Sequence, residues 1–247
     1  MYFLQRHAMP IKARFEASLV LAYAFPADVL QPLLPPGLTL DTYKDFGFVS
    51  LALVHTRELR PAFIPGKLGI SYFLSAYRIF TRYRTQTGQT LRGLRILRSD
   101  TNHWAMRLFG NKLTRYRYQL SKWDVQRTKQ SFSVRISTPD HQANVHMEAD
   151  LSVSALPPGS PFDDLDVARD YAGPLPYTFD YEPQTHSIIR VEGVRDVWNP
   201  LPVTVRIHRN GFFEQDLFRN AQPLLANAFF MENVPYAWRR GIREKLA

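Results

Sequence analysis

The segment from Ala76 to Gln119 constrains the fold more than any other part of the chain. It opens AYRIFTRYRTQTGQTLRGLRILRSD and closes RLFGNKLTRYRYQ. Tyr77, Ile79, Thr81 and Tyr83 alternate with Arg78, Phe80, Arg82 and Arg84, which is the two-residue period of a β-strand. Gln86-Thr87-Gly88-Gln89 supplies a glycine-bearing turn. Leu91 to Ser99 then returns with Leu94 and Ile96 on one side and Gly93, Arg95 and Leu97 on the other. The predicted hairpin thus carries guanidinium groups on both faces. A half-buried sheet keeps one face apolar, so some of these arginines must lie inside something polar, such as a ligand-lined barrel interior. Facing strands this rich in arginine also repel one another unless an anion or carboxylates intervene. Asp100, at the far end of the hairpin, is the nearest candidate partner.

Composition supports a mostly β chain. Eighteen prolines against twelve glycines, with seventeen Phe and twelve Tyr, favour many short strands over helices. All-β units reach 247 residues as one domain, and residues 1–247 are read here as a single domain. With no cysteine, disulfides, thiolate metal sites and a cysteine nucleophile are excluded, which fits a cytoplasmic location. The start MYFLQRHAMPIKARFE has no continuous apolar core of a signal peptide. No stretch reaches the length of a membrane span, so no membrane partner is expected. The net charge of +9 asks for anionic surroundings. The basic residues are spread through strands and not blocked into a tail, which argues against nucleic acid as the partner.

In chain order, strands are predicted at Phe15 to Phe25, Leu38 to Thr42 and Phe46 to Thr56, with a short helix from Pro26 to Leu33. A proline-punctuated loop covers Leu59 to Gly69, and Ile70 to Ser75 leads into the hairpin. Trp104 to Tyr118 passes into loop or short helix. Trp123 to Arg127 pairs with Ser131 to Ser137, and Asn144 to Ser154 is strand-like. Leu156 to Tyr177 is the chain's best loop and a candidate lid. Ser187 to Trp198 and Val203 to His208 are further strands. Leu217 to Glu232 and Pro235 to Ala247 are predicted as helices, the second carrying Trp238, Ile242 and Leu246 beside four basic residues.

Seven histidines show none of the usual metal-ligand spacings, so no metal is expected. The glycines form neither a Walker loop nor a dinucleotide fingerprint, and no Gly-x-Ser-x-Gly elbow occurs. No cofactor is expected. Lysine chemistry offers a sharper idea. Lys112 follows Trp104, Met106, Leu108 and Phe109. Desolvated by such neighbours, with Arg107 or Arg115 nearby, it would attack a carbonyl as a neutral amine. The alternative is a lysine whose stem packs while its head reaches water. Arg82 and Arg95 are the candidates for recognising a carboxylate.

Three stretches resemble the acetoacetate-decarboxylase-like superfamily and, within it, the YqjF-like family. They are LAYAFPADVLQPLLPPGLTLDT (Leu21 to Thr42), the run from Arg82 through Gly93 to Ser99-Asp100, and RLFGNKL followed much later by VEGVRDVWNP (Val191 to Pro200). The resemblance covers most of the chain. It implies a mainly β fold: a closed or nearly closed antiparallel barrel around a largely apolar cavity, with a few flanking helices. In the decarboxylases two adjacent lysines occupy that cavity, the first forming a Schiff base and the second lowering its pKa. Here the pair reads Asn111-Lys112, which leaves Lys112 as the helper or, with a one-residue shift, as the nucleophile. The acidic residue expected near Ser50 is serine. The site implied is Lys112 with Arg82, Arg95, Asp100, Asn111 and Arg107, binding a small carboxylate or ketone. The function is then either lysine Schiff-base lyase chemistry or non-catalytic ligand binding. Relatives in the superfamily often assemble, so a homo-oligomer is also expected to be open to this chain.

Overall fold

The computed structural model describes residues 2–172, 175–195, 199–218 and 221–246. Its strands are β1 (Ile11–Pro26), β2 (Leu38–Leu40), β3 (Thr42–Tyr43), β4 (Phe46–Pro61), β5 (Ile70–Arg84), β6 (Thr90–Thr101), β7 (Tyr118–Leu120) and β8 (Lys122–Arg127). They continue as β9 (Ser131–Ser137), β10 (Val145–Asp150), β11 (Tyr177–Glu182), β12 (Ser187–Val194), β13 (Leu201–Pro202), β14 (Thr204–Asn210), β15 (Leu224–Trp238) and β16 (Ile242–Lys245). Three short α-helices accompany them: α1 (Ala27–Leu30), α2 (Trp104–Leu113) and α3 (Leu165–Ala172). The protein is mainly β with few helices.

Twelve strands form one sheet in the order β13-β15-β1-β4-β5-β6-β11-β12-β16, with β2, β3 and β7 as side branches, and β12 also meets β15. This last pairing turns the sheet into an uneven ring, closed among the described residues by two pairs, Gly193 with Trp238 and Val194 with Ala237. The expected antiparallel barrel needs correction here. The sheet is mixed, because β6 runs parallel to both β7 and β11. A parallel neighbour needs a long crossover, and residues 102–176 supply one. Gly93 makes the β6–β11 contact possible: a Cβ there would lie 2.5 Å from both the Tyr177 carbonyl and the Phe179 ring.

The second sheet, β14-β10-β9-β8, packs on the outer face of the ring. Alternation along β1 explains the two surfaces. Leu19, Leu21, Tyr23 and Phe25 join Leu51, Leu53, Tyr77 and Ile79 against Phe132, Val134, Ile136 and Met147 of the second sheet. Ser18, Val20 and Ala22 point the other way and line a cavity. The predicted central hairpin is β5–β6, with Gly88 at φ +85° in its turn.

Both predicted C-terminal helices are strands. Leu224–Trp238 pairs with β1 along its length, and Ile242–Lys245 pairs with β12. Residues 226–231 are buried on both faces of β15, so the run lacks the polar alternation that marks a strand. Of the late motif, Asp196, Val197 and Trp198 lie outside the described residues. The candidate lid contains α3, whose Ala168 and Ala172 pack with Phe48, Phe80, Leu94 and Phe162 over one end of the cavity.

Candidate functional site

The cavity inside the ring measures about 640 Å³. Strand register builds its wall row by row: Asn227, Ala22, Ser50, Arg78 and Ile96 face one another across β15, β1, β4, β5 and β6. All five line the cavity. Further along lie Val20, Ala52 and Ala76, then Ser18, Val54 and Leu74. The lining is mostly aliphatic and aromatic, and among the described lining residues there is no lysine and no carboxylate.

Its charge comes from arginine. Arg78 points inward from β5, and among the described residues its Nε has no hydrogen-bond partner. Loss of solvent pulls its pKa down to about 10, and the described charged groups acting on it are Tyr236 and Arg195. Arg195 also lines the cavity, with its guanidinium 5.8 Å from the Tyr236 ring centre. Burial likewise lowers the Arg195 pKa and raises that of the Tyr236 hydroxyl. Asn227 Nδ2, in the same wall row as Arg78, is buried with no hydrogen-bond partner among the described residues. Guanidiniums carry five N–H donors and do not give up their charge. Desolvated Arg78, with a free Nε among the described residues, is therefore a ready anion receptor. Arg60 lines the cavity too, but its guanidinium is committed to the carbonyls of Glu58 and Ile64.

The residues expected to form the site are dispersed, and none of the six lines the cavity. Lys112 sits on α2 with its side chain exposed, while Ala105, Met106, Phe109, Gly110 and Leu113 of the same helix present the cavity-facing side. Arg107 is exposed on α2 as well. Asn111 clips the end of the helix: its Nδ2 donates to the Tyr118 carbonyl at 2.9 Å and its Oδ1 accepts from the Tyr118 amide at 2.7 Å. Arg82 stands directly opposite Arg92, not Arg95. Buried Asp41 accepts from Arg82 Nε at 2.6 Å and Arg92 Nε at 2.7 Å, which relieves the repulsion of the facing pair. Arg95 lies across from Ile79, on the face of β6 away from Leu94 and Ile96. Its closest charge influences are Asp180 and Arg117. Asp100 is clasped by Arg98, the two guanidinium nitrogens Nε and Nη2 each donating at 2.9 Å.

One signal in the sequence pointed at Arg78. It shares the parity of Leu74, Ala76 and Phe80 on β5, so it faces wherever they face. A second grouping appears only across strands. His146, Glu148 and His208 bring ligand-type atoms within 4.8 Å of one another on the second sheet. Arg135 lies opposite His146 and Arg206 opposite Glu148, and this flanking positive charge opposes a cation there. Among the described residues, no helix is long and apolar enough to cross a membrane.

Comparison with known proteins places this geometry in context. The family model DUF2071, described as an uncharacterized conserved protein, matches residues 12–235. No curated protein sequence matches the chain. Among solved structures, acetoacetate decarboxylase from Legionella pneumophila is similar at 13% identity and a TM-score of 0.60, covering 97% of this chain and 88% of that one. The enduracididine biosynthesis enzyme MppR complexed with pyruvate is similar at 12% identity and a TM-score of 0.60, covering 96% and 90%. An acetoacetate decarboxylase-like enzyme from Sphingomonas wittichii RW1 follows at 13% identity and 0.55, covering 99% and 94%. At such identities the likeness is one of fold.

Proposed function

The chain belongs to the DUF2071 family, and on that footing we propose that its cavity binds a small organic acid or ketone, with Arg78 as the anchor for the carboxylate or carbonyl oxygen. One observation carries the reading: Arg78 is desolvated in a largely apolar chamber whose described lining holds no carboxylate, and its Nε meets no hydrogen-bond partner among the described residues. The cost of keeping the Arg78 guanidinium there is offset when an anion enters and accepts its N–H groups. Tyr236, which acts on Arg78 and lines the same cavity, can add a neutral donor. The pyruvate bound to the similarly folded MppR is a ligand of this chemical class.

Imine formation asks for a desolvated amine within reach of the bound carbonyl. The side chain of Lys112 is exposed on α2 and the described lining offers no lysine, so ligand binding without a covalent step is the reading the geometry favours. The test is calorimetric titration of wild type and Arg78→Gln with pyruvate and acetoacetate. A parallel arm adds borohydride and reads intact mass. Losing hydrogen bonds to a charged group costs about 1.5–3 kcal/mol, so Arg78→Gln is expected to weaken binding at least tenfold. Unchanged binding by the variant would remove Arg78 as the anchor. A reduced adduct on Lys112 would restore the Schiff-base reading.

A further inference from the structure

The cavity is far larger than the ligands named above need, and its long axis can be read from the strand that carries Arg78. Arg78, Ala76, Leu74, Tyr72 and Ile70 all line it from β5. Eight residues separate Arg78 from Ile70, which at about 3.3 Å per residue is on the order of 26 Å. The two ends differ. Beyond Arg78 the chamber is shut by Phe80, Leu94, Ala172 and Leu175, which belong to one apolar cluster with Phe48 and Phe162. At the other end, Leu68 and Phe109 line the cavity and are nevertheless 73% and 53% exposed, so this is the mouth. Between the mouth and Arg78 the walls are dominated by Val20, Ala52, Val54, Leu74 and Met231.

From this arrangement we infer that the natural ligand is a carboxylate with a long apolar tail, the head held at the blind end by Arg78 and the tail running toward Leu68 and Phe109. The inference rests on the carboxylate-pocket reading and names its ligand class. Volume decides it. A cavity of roughly 150 Å³ is filled by one benzene, and this chamber of about 640 Å³ is some four times larger. A molecule the size of pyruvate would leave most of the apolar wall without contact partners, and unfilled apolar space forfeits dispersion and transfer energy. A tail supplies the missing contacts and needs no further polar group. A shorter acid with a polar tail would place unpaired hydroxyls or charges against Val54 and Leu74, which costs more than it returns.

The test is a homologous series of straight-chain carboxylates from acetate to hexadecanoate, each beside its alcohol, titrated into wild type, Arg78→Gln and Val54→Trp. Affinity is expected to rise by up to about fourfold for each methylene buried, then to level off once the chamber is full. Wild type should prefer each acid to its alcohol, and Arg78→Gln should erase that preference while keeping the rise with length. Val54→Trp narrows the channel midway, so its plateau should arrive at a shorter chain with short acids unaffected. A preference for acids that does not grow with length would overturn the tail and leave the carboxylate pocket standing. Growth with length and no acid preference in wild type would overturn the carboxylate reading and the inference with it. A plateau unmoved by Val54→Trp would place the tail elsewhere.

Discussion

Removing Asp100 should destabilise the protein far more than removing Asp140, although both pair with Arg98. Arg98 reaches from β6 and makes four charge-assisted hydrogen bonds to carboxylates. Two go to Asp100, both at 2.9 Å, and two to Asp140, at 2.7 and 3.0 Å. Gln119 accepts a further one at 3.2 Å. Asp140 lies in the turn between β9 and β10, so the cluster bolts the ring to the second sheet. The difference lies in solvent: the Asp100 side chain is 0% exposed and that of Asp140 is 32%. In Asp100→Asn the buried guanidinium keeps its charge but loses its countercharge and meets an amide donor in place of an oxygen. Breaking a buried pair from one side costs about 3–5 kcal/mol. Asp140→Asn leaves water free to replace the lost acceptor, and about 1 kcal/mol is expected. Arg98→Met strands the Asp100 charge, so it should cost as much as Asp100→Asn. The double variant Arg98→Met/Asp100→Leu removes both charges and should be markedly less destabilised than the sum of its parts. Urea denaturation of the full set at pH 7 measures each term, with m-values confirming that the same surface unfolds. Equal losses for Asp100→Asn and Asp140→Asn, or an additive double variant, would refute the assignment of the cost to burial.

Two further outcomes follow from the structure. The Asp180 carboxyl is pushed up to about 6 by desolvation, against the pull of Arg95, Arg115 and Arg117. The folded form therefore holds its proton more tightly than the unfolded chain, and stability falls as pH rises from about 4 through 6. Asp180→Asn should match wild type near pH 4 and exceed it by up to about 3 kcal/mol at pH 7, in denaturation curves taken across that range; a gap that widens toward acid would contradict the sign. At Gly193 a Cβ would lie 2.0 Å from the Tyr236 hydroxyl and 2.7 Å from its ring carbon. Gly193→Ala should cost about 1–3 kcal/mol by overpacking, with partial rescue by Tyr236→Phe, and thermal melts showing no rescue would discount the clash.

The sequence disclosed some of this and withheld the rest for identifiable reasons. The β5–β6 hairpin was legible because one face is covered, Tyr77 and Ile79 by the second sheet and Tyr83 by Phe179 and Ile188, so residues 77, 79, 81 and 83 alternate with their neighbours. Strand β15 was not, because it is covered on both sides and its run of Ala, Phe and Met carries no period of two. The density of arginine was legible, and so was the need for something between the facing guanidiniums. Where each one went was not. Arg82 and Arg92 are served by Asp41, 41 and 51 positions upstream, and Arg98 by Asp140 from the turn of another sheet. Such partners are set by register between distant strands. Parity along β5 separates Arg78 from its neighbours only once the cavity face is known. Lys112 was read from its apolar neighbours in sequence, yet on the helix Met106 and Phe109 turn to the cavity while Trp104 and Leu108 share the exposed side with Lys112.

The closure of the ring by two residue pairs bears on the order in which the protein assembles. Strands β1, β4, β5 and β6 follow one another by short connections and can zip up early. β12 must wait until residues 102–176 have laid down most of the second sheet, and β15 arrives later still. The clasp at Gly193 and Val194 is then among the last contacts made and, with two described residue pairs like the β6–β11 seam, is one of the two thinnest joints of the ring. Opening it need not disturb the sandwich core, so the molecule can unlatch along one side at a fraction of its global unfolding free energy. A guest too long to thread an end could enter through that transient slit.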